Sequence, residues 1–112
     1  MPFIDIKTNI NITKDDEVAI KKELGNLVSL INKSEQWLMI SFIDNQEMYF
    51  KGKGSPCLIA EVKLYGEVNP SDLERFTNKV TTFLASKLSI EPTRIYIAYF
   101  NTMNWGYNGY NF

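Results

Sequence analysis

The sequence predicts an α+β fold in which two strand–helix–strand units form one four-stranded mixed sheet with both helices on one face. Three observations carry that prediction. Two stretches with helical spacing of apolar residues each lie between apolar or β-branched runs. Each helical stretch opens on a capping signal. The two units are offset by roughly 55–60 residues, a duplication of pattern rather than of identity. At 112 residues the chain is expected to be a single domain, residues 1–112, large enough to fold around its own core.

The first unit begins with a strand over residues 2–8, where Phe3, Ile4 and Ile6 lie on a mostly apolar run. Thr13 then offers a helix N-cap, with Asp15, Asp16 and Glu17 in the first turn, where acidic groups complement the helix dipole. Ile20, Leu24, Leu27, Val28 and Ile31 follow at helical spacing and give the helix one apolar stripe. Residues 38–43 read as the return strand, ended by the turn pair Asp44-Asn45. The second unit opens with a strand over residues 56–65, closed by Gly66. Asn69-Pro70-Ser71 supplies a cap and an N1 proline. Leu73, Phe76, Val80, Phe83 and Leu84 form the second stripe. Glu91-Pro92 breaks the chain before a strand over residues 94–100, rich in β-branched and aromatic residues.

A unit of this kind needs a crossover to bring its second strand beside the first. Two helices on one face leave the other face bare. Ile40, Phe42, Ile59, Val62, Leu64, Ile95, Ile97 and Tyr99 read as apolar residues on both sides of the strands, which points to oligomerisation. The short segments 48–50 and 105–107 are candidates for pairing with a neighbour's sheet edge.

Composition narrows the function. The 45% apolar and 22% charged content fits a globular protein. A net charge of −1 argues against nucleic acid as a partner. No segment approaches the roughly 18 apolar residues of a membrane span. The first residues lack the basic and apolar regions of a secretion signal, so the default expectation is the cytoplasm. One cysteine, Cys57, permits no internal disulfide. There is no histidine, which removes the commonest general base, Ser-His triads and any His-containing metal cluster. No other metal-ligand spacing is present, and Asp15, Asp16, Asp44 and Glu47 form no catalytic carboxylate pair. The Gly-Lys run around Gly52 lacks phosphate-loop spacing and reads as a solvated turn.

Pro2 is the residue with chemical interest. Removal of Met1, which small second residues permit, leaves a secondary amine at the start of a strand. Burial and a nearby cation both disfavour its protonated form, so it can serve as a general base near neutral pH. The plainer account is a proline that costs no ladder hydrogen bond at a strand's first position.

Further residues carry a resemblance. Pro2-Phe3-Ile4 through Thr8-Asn9, then Lys33, Phe50-Lys51-Gly52-Lys53-Gly54-Ser55-Pro56-Cys57 and Ser89-Ile90-Glu91-Pro92-Thr93-Arg94-Ile95-Tyr96-Ile97 resemble the macrophage migration inhibitory factor and D-dopachrome tautomerase family of the tautomerase superfamily. The match runs without a gap from Pro2 to Tyr96, with a tail about two residues shorter before Trp105. The resemblance implies a homotrimer of the duplicated β-α-β unit and a cofactor-free keto–enol tautomerase, acting on phenylpyruvate-type α-keto acids or dopachrome-like compounds. It implies Pro2 as base and Lys33 as the cation that binds the substrate carboxylate. Tyr96 is implied to enter the pocket from a neighbouring subunit, and Tyr65 to contact substrate through its backbone amide. Trp105 and Tyr107 are implied as pocket wall, with Trp37 and Met39 near the rim. Without the resemblance, Lys33 reads as a solvated helix C-cap, Tyr96 as a β-former, and the large side chains as core or interface filler. The same family implies a competing role, a cytokine-like ligand for a cell-surface receptor, exported without a signal peptide.

Two departures stand out. Ala98 replaces a pocket asparagine of the cytokine, which removes one polar contact. Ala60 replaces the second cysteine of a Cys-x-x-Cys pair, so Cys57 alone is expected to be buried and inert.

Overall fold

A computed structural model describes residues 1–112. Strand β1 (Pro2–Thr8) leads to helix α1 (Lys14–Leu27) and strand β2 (Met39–Ile43). Strand β3 (Leu58–Tyr65), helix α2 (Pro70–Leu88) and strand β4 (Ile95–Thr102) repeat the arrangement. The sheet order is β2-β1-β3-β4. Within each unit the two strands are parallel, as a helical crossover requires, and the units join antiparallel through β1 and β3.

The local signals act as read. Thr13 caps α1, its hydroxyl accepting from the Asp16 N–H at 3.1 Å. Asn69 caps α2 by accepting from the Ser71 N–H at 2.9 Å, with Pro70 in the first turn. Such caps are typically worth about 1 kcal/mol each. α1 ends at Leu27 and tightens into a 3₁₀ turn, Val28–Ile31, which keeps Val28 and Ile31 buried on the same stripe. α2 buries Phe76, Val80, Leu84 and also Leu88, while Leu73 and Phe83 flank the core half-exposed. Both helices press on Ile4, Ile6, Ala60 and Val62 of the central strands, forming one apolar core.

β3 begins at Leu58 rather than at residue 56, because the Ser55 and Pro56 carbonyls accept from the Arg94 guanidinium. β4 starts one residue late and continues to Thr102, paired with β3 over its whole length. Residues 105–107 find a partner within the chain. Strand β5 (Gly106–Tyr107) pairs with strand β6 (Tyr110–Asn111) across Asn108 (φ 52°) and Gly109 (φ 84°). Phe50 likewise closes on Lys53 in a turn at Lys51 and Gly52.

The helix-free face of the sheet differs from the expectation. Register places Ile40, Phe42, Val62, Leu64, Ile95, Ile97 and Tyr99 on the same side as the core residues, so of the eight apolar residues only Ile59 faces the other way. The centre of the bare face is polar. Ser41 donates to Asp5 at 2.5 Å, and Lys7 reaches Glu61 at 3.3 Å and Asp5 at 3.6 Å. On the outer strands this face carries exposed apolar residues, Met39 on β2 and Tyr96 and Phe100 on β4, in register with Phe3, Ile59 and Lys63 on the inner ones. The alternation of side chains, and not the count of apolar residues, sets what each face carries. No helix is long and apolar enough to cross a membrane.

Candidate functional site

Pro2 is buried at the start of β1, in register with Leu64. The peptide that precedes it therefore lies beside the end of β3. The Tyr65 N–H donates to the Met1 carbonyl at 3.3 Å. On the other side of Tyr65, its carbonyl accepts from the Lys33 ammonium at 2.8 Å.

Lys33 comes to this point because the chain reverses at Asn32, in the left-handed region at φ 59°. Its side chain is not a solvated C-cap. It crosses to β3 and is half-buried, and desolvation holds its ammonium below the ordinary lysine range. The amine at the chain terminus is lowered too, first by burial and then by the Lys33 charge. While Met1 is attached, the Pro2 nitrogen is an amide and has no basicity. The turn after Tyr65 is fixed by Gly66 (φ 83°), whose N–H donates to the Thr102 carbonyl at 2.9 Å and whose carbonyl accepts from the Asn101 amide at 2.7 Å.

An aromatic wall stands next to this polar corner. Tyr65 packs on Phe112 with ring centroids 5.5 Å apart. Phe112 stacks on Tyr107 at 6.3 Å, and Tyr107 meets Trp37 edge-on at 5.1 Å. Edge and offset contacts of this kind are the favoured geometries for aromatic pairs. Trp105 is half-buried and ties down the tail, its carbonyl accepting from the Phe112 N–H at 3.0 Å. Met39 projects from the β2 edge, in register with Phe3.

One chain thus brings together Pro2, Lys33, Tyr65, Tyr107 and Trp37, with Trp105 supporting the tail. It does not bring Tyr96. That residue pairs with Ile59 whereas Pro2 pairs with Leu64, a separation of about 16 Å along β3 at the usual strand rise. Its ring lies against Phe50, centroids 4.7 Å apart. Ala98 is in register with Glu61, on the polar face. Sequence reasoning missed Phe112. The available signal was Asn108-Gly109 between Tyr107 and Tyr110, a strong mark of a two-residue hairpin, which folds the last residue back over the site.

The principal clefts of the single chain are lined by neither Pro2 nor Lys33. One of them, about 530 Å³, lies at the opposite end of β3, among Lys51, Lys53, Ser55 and Arg94. The corner around Pro2 has a cation and a backbone amide on one side and an aromatic wall on the other.

Comparison with known proteins gives a consistent result. A family model described as "Macrophage migration inhibitory factor (MIF)" matches residues 1–112. The macrophage migration inhibitory factor of Meriones unguiculatus is 27% identical, with 100% of this chain and 99% of that protein covered. The homolog from Brugia malayi is 28% identical over the same shares. Among solved structures, Leishmania major MIF2 superposes with a TM-score of 0.94 at 26% identity, covering 100% of this chain and 97% of that one.

Proposed function

The chain belongs to the macrophage migration inhibitory factor family of the tautomerase superfamily, and from that premise we propose that it is a keto–enol tautomerase whose base is the amine of Pro2. The observation that carries the proposal is the corner in which Lys33 and the end of β3 meet the terminal peptide. Removal of Met1 converts the buried Pro2 nitrogen into a secondary amine and releases the Tyr65 N–H from the Met1 carbonyl. The environment that lowers the terminal amine, burial and the Lys33 cation, then acts on Pro2.

The substrate class is an α-keto acid of the phenylpyruvate type. Lys33 and the freed Tyr65 N–H hold the carboxylate. Pro2 takes the enol hydroxyl proton and returns it to the adjacent carbon, a one-base 1,3-proton shift without a cofactor. Tyr65, Tyr107, Trp105 and Phe112 flank the substrate's ring. The half-site is completed in a homotrimer by Tyr96 of a neighbouring subunit, the polar sheet faces turning inward.

Phenylpyruvate kinetics test the base. Replacing Pro2 by Gly is expected to lower kcat/KM by about 10²–10⁴-fold, the usual contribution of a positioned general base. Equal rates would exclude Pro2. A second reading, a cytokine-like protein that binds a cell-surface receptor, draws on the name the relatives carry. Receptor binding by an outer surface survives Pro2→Gly, so the same variant separates the two roles.

A further inference from the structure

Arg94 spends its whole guanidinium fork on backbone. Its Nε donates to the Pro56 carbonyl at 2.9 Å and its Nη1 to the Phe50 carbonyl at 3.0 Å. Its Nη2 donates to the carbonyls of Lys53 at 3.1 Å and Ser55 at 3.0 Å. Four carbonyls of one loop converge on a single planar cation. The same guanidinium lies over the Phe50 ring, 5.3 Å from its centroid. Phe50 in turn carries the ring of Tyr96 at 4.7 Å. Tyr96 is 58% exposed, and Phe50 is its ring partner.

From this arrangement we propose that Arg94 is a positioning residue for Tyr96, acting through the loop it gathers and the Phe50 ring held between them. The inference rests on the tautomerase reading, in which Tyr96 completes a neighbour's site. A lysine cannot replace the fork, because its ammonium is a compact point charge that cannot match four carbonyls set in different directions. Without the fork the turn at Lys51 and Gly52 loses its anchor, and Phe50 loses the surface on one of its sides. Tyr96 then samples several rotamers, and the neighbour's substrate pocket loses a wall. A wall lost equally in ground and transition states raises KM and leaves kcat nearly unchanged.

The test compares Arg94→Lys, Tyr96→Ala and the double variant in phenylpyruvate kinetics, alongside spectra of ¹³C-labelled tyrosine rings. Arg94→Lys is expected to raise KM about three- to tenfold, the size of one aromatic contact, with kcat within about a factor of two. In the Tyr96→Ala background the same change is expected to add nothing, which a merely structural arginine would not satisfy. The Tyr96 ring signals are expected to shift or broaden in both Arg94→Lys and Phe50→Leu. Phe50→Leu leaves the carbonyl clamp intact and serves if the arginine variant fails to fold. An unchanged KM, additive effects or unmoved Tyr96 signals would overturn the proposal. A wild-type protein that converts no phenylpyruvate contradicts the tautomerase reading instead, and the ring spectra then decide the Arg94–Phe50–Tyr96 linkage alone.

Discussion

At the residue scale the decisive quantity is the charge on one nitrogen. A terminal amine in water titrates near 8, so at neutral pH about nine-tenths of it is protonated and it is a poor base. The Met1 amine is lowered by burial first and by the Lys33 cation second, and in the proposed enzyme the Pro2 amine takes over that environment, where both act in one direction. The sign for activity follows. In the proposed reaction the amine works as a base only when neutral, so kcat/KM is expected to rise as pH climbs through its pKa and to level off above it. With the pKa lowered, the midpoint of the rise lies below the ordinary α-amine value. Lys33→Ala is expected to move the midpoint upward, because the repulsion is gone, and to raise KM about tenfold through loss of a charged hydrogen bond to the carboxylate. A pH–rate profile with the midpoint unmoved would show that Lys33 does not tune the base. Pro2 drew attention by its own chemistry, whereas Lys33 and Tyr65 were legible in the sequence only through the pattern shared with a family. Their spacing by itself does not reveal that Lys33 crosses to the end of β3, because a left-handed Asn32 sets that direction.

At the element scale the helices and strands follow from short-range signals. Thr13 and Asn69 cap where expected, and the period-2 and period-3.6 patterns bury most of the residues they mark, with Leu27, Leu73 and Phe83 at the core's edge. The tail was less legible. Two-residue strands hold no periodicity, and only the turn residues Asn108 and Gly109 betray them. Gly109 sits at φ 84°, where a Cβ strains the backbone by about 1–3 kcal/mol, although open space surrounds it. Gly109→Ala is therefore expected to loosen the hairpin and move Phe112 off Tyr65 and Tyr107. KM for phenylpyruvate rises, while urea unfolding of the core stays within about 0.5 kcal/mol of wild type, as for surface sites. A large loss of global stability in that variant would place the tail in the folding core rather than beside the site.

At the scale of the whole molecule the proposed site is shared between chains. Pro2 and Tyr96 stand at different ends of β3, and the sheet's bare face has a polar centre with exposed Met39, Tyr96 and Phe100 near its margins. Counting apolar residues suggested a face buried throughout, but register returns most of them to the helix side. In the proposed trimer each site draws Pro2 from one subunit and Tyr96 from the next. Mixing Pro2→Gly and Tyr96→Ala chains in equal amounts, with subunits allowed to exchange, rebuilds an intact pair at about a quarter of the interfaces of a closed ring. Substrate titration is therefore expected to recover a component with the low KM of wild type, about a quarter of wild-type turnover, which neither parent shows. No recovery after exchange, verified by native mass spectrometry, would place both residues in one subunit's site or remove Tyr96 from it.

The most direct measurement compares two preparations whose intact masses establish whether Met1 is present. One begins with the free amine of Pro2 and the other retains Met1. Phenylpyruvate tautomerisation is expected only in the first, because acylation by Met1 abolishes the basicity of the ring nitrogen and leaves its carbonyl on the Tyr65 amide. Equal turnover by both preparations would contradict the assignment of Pro2 as the base.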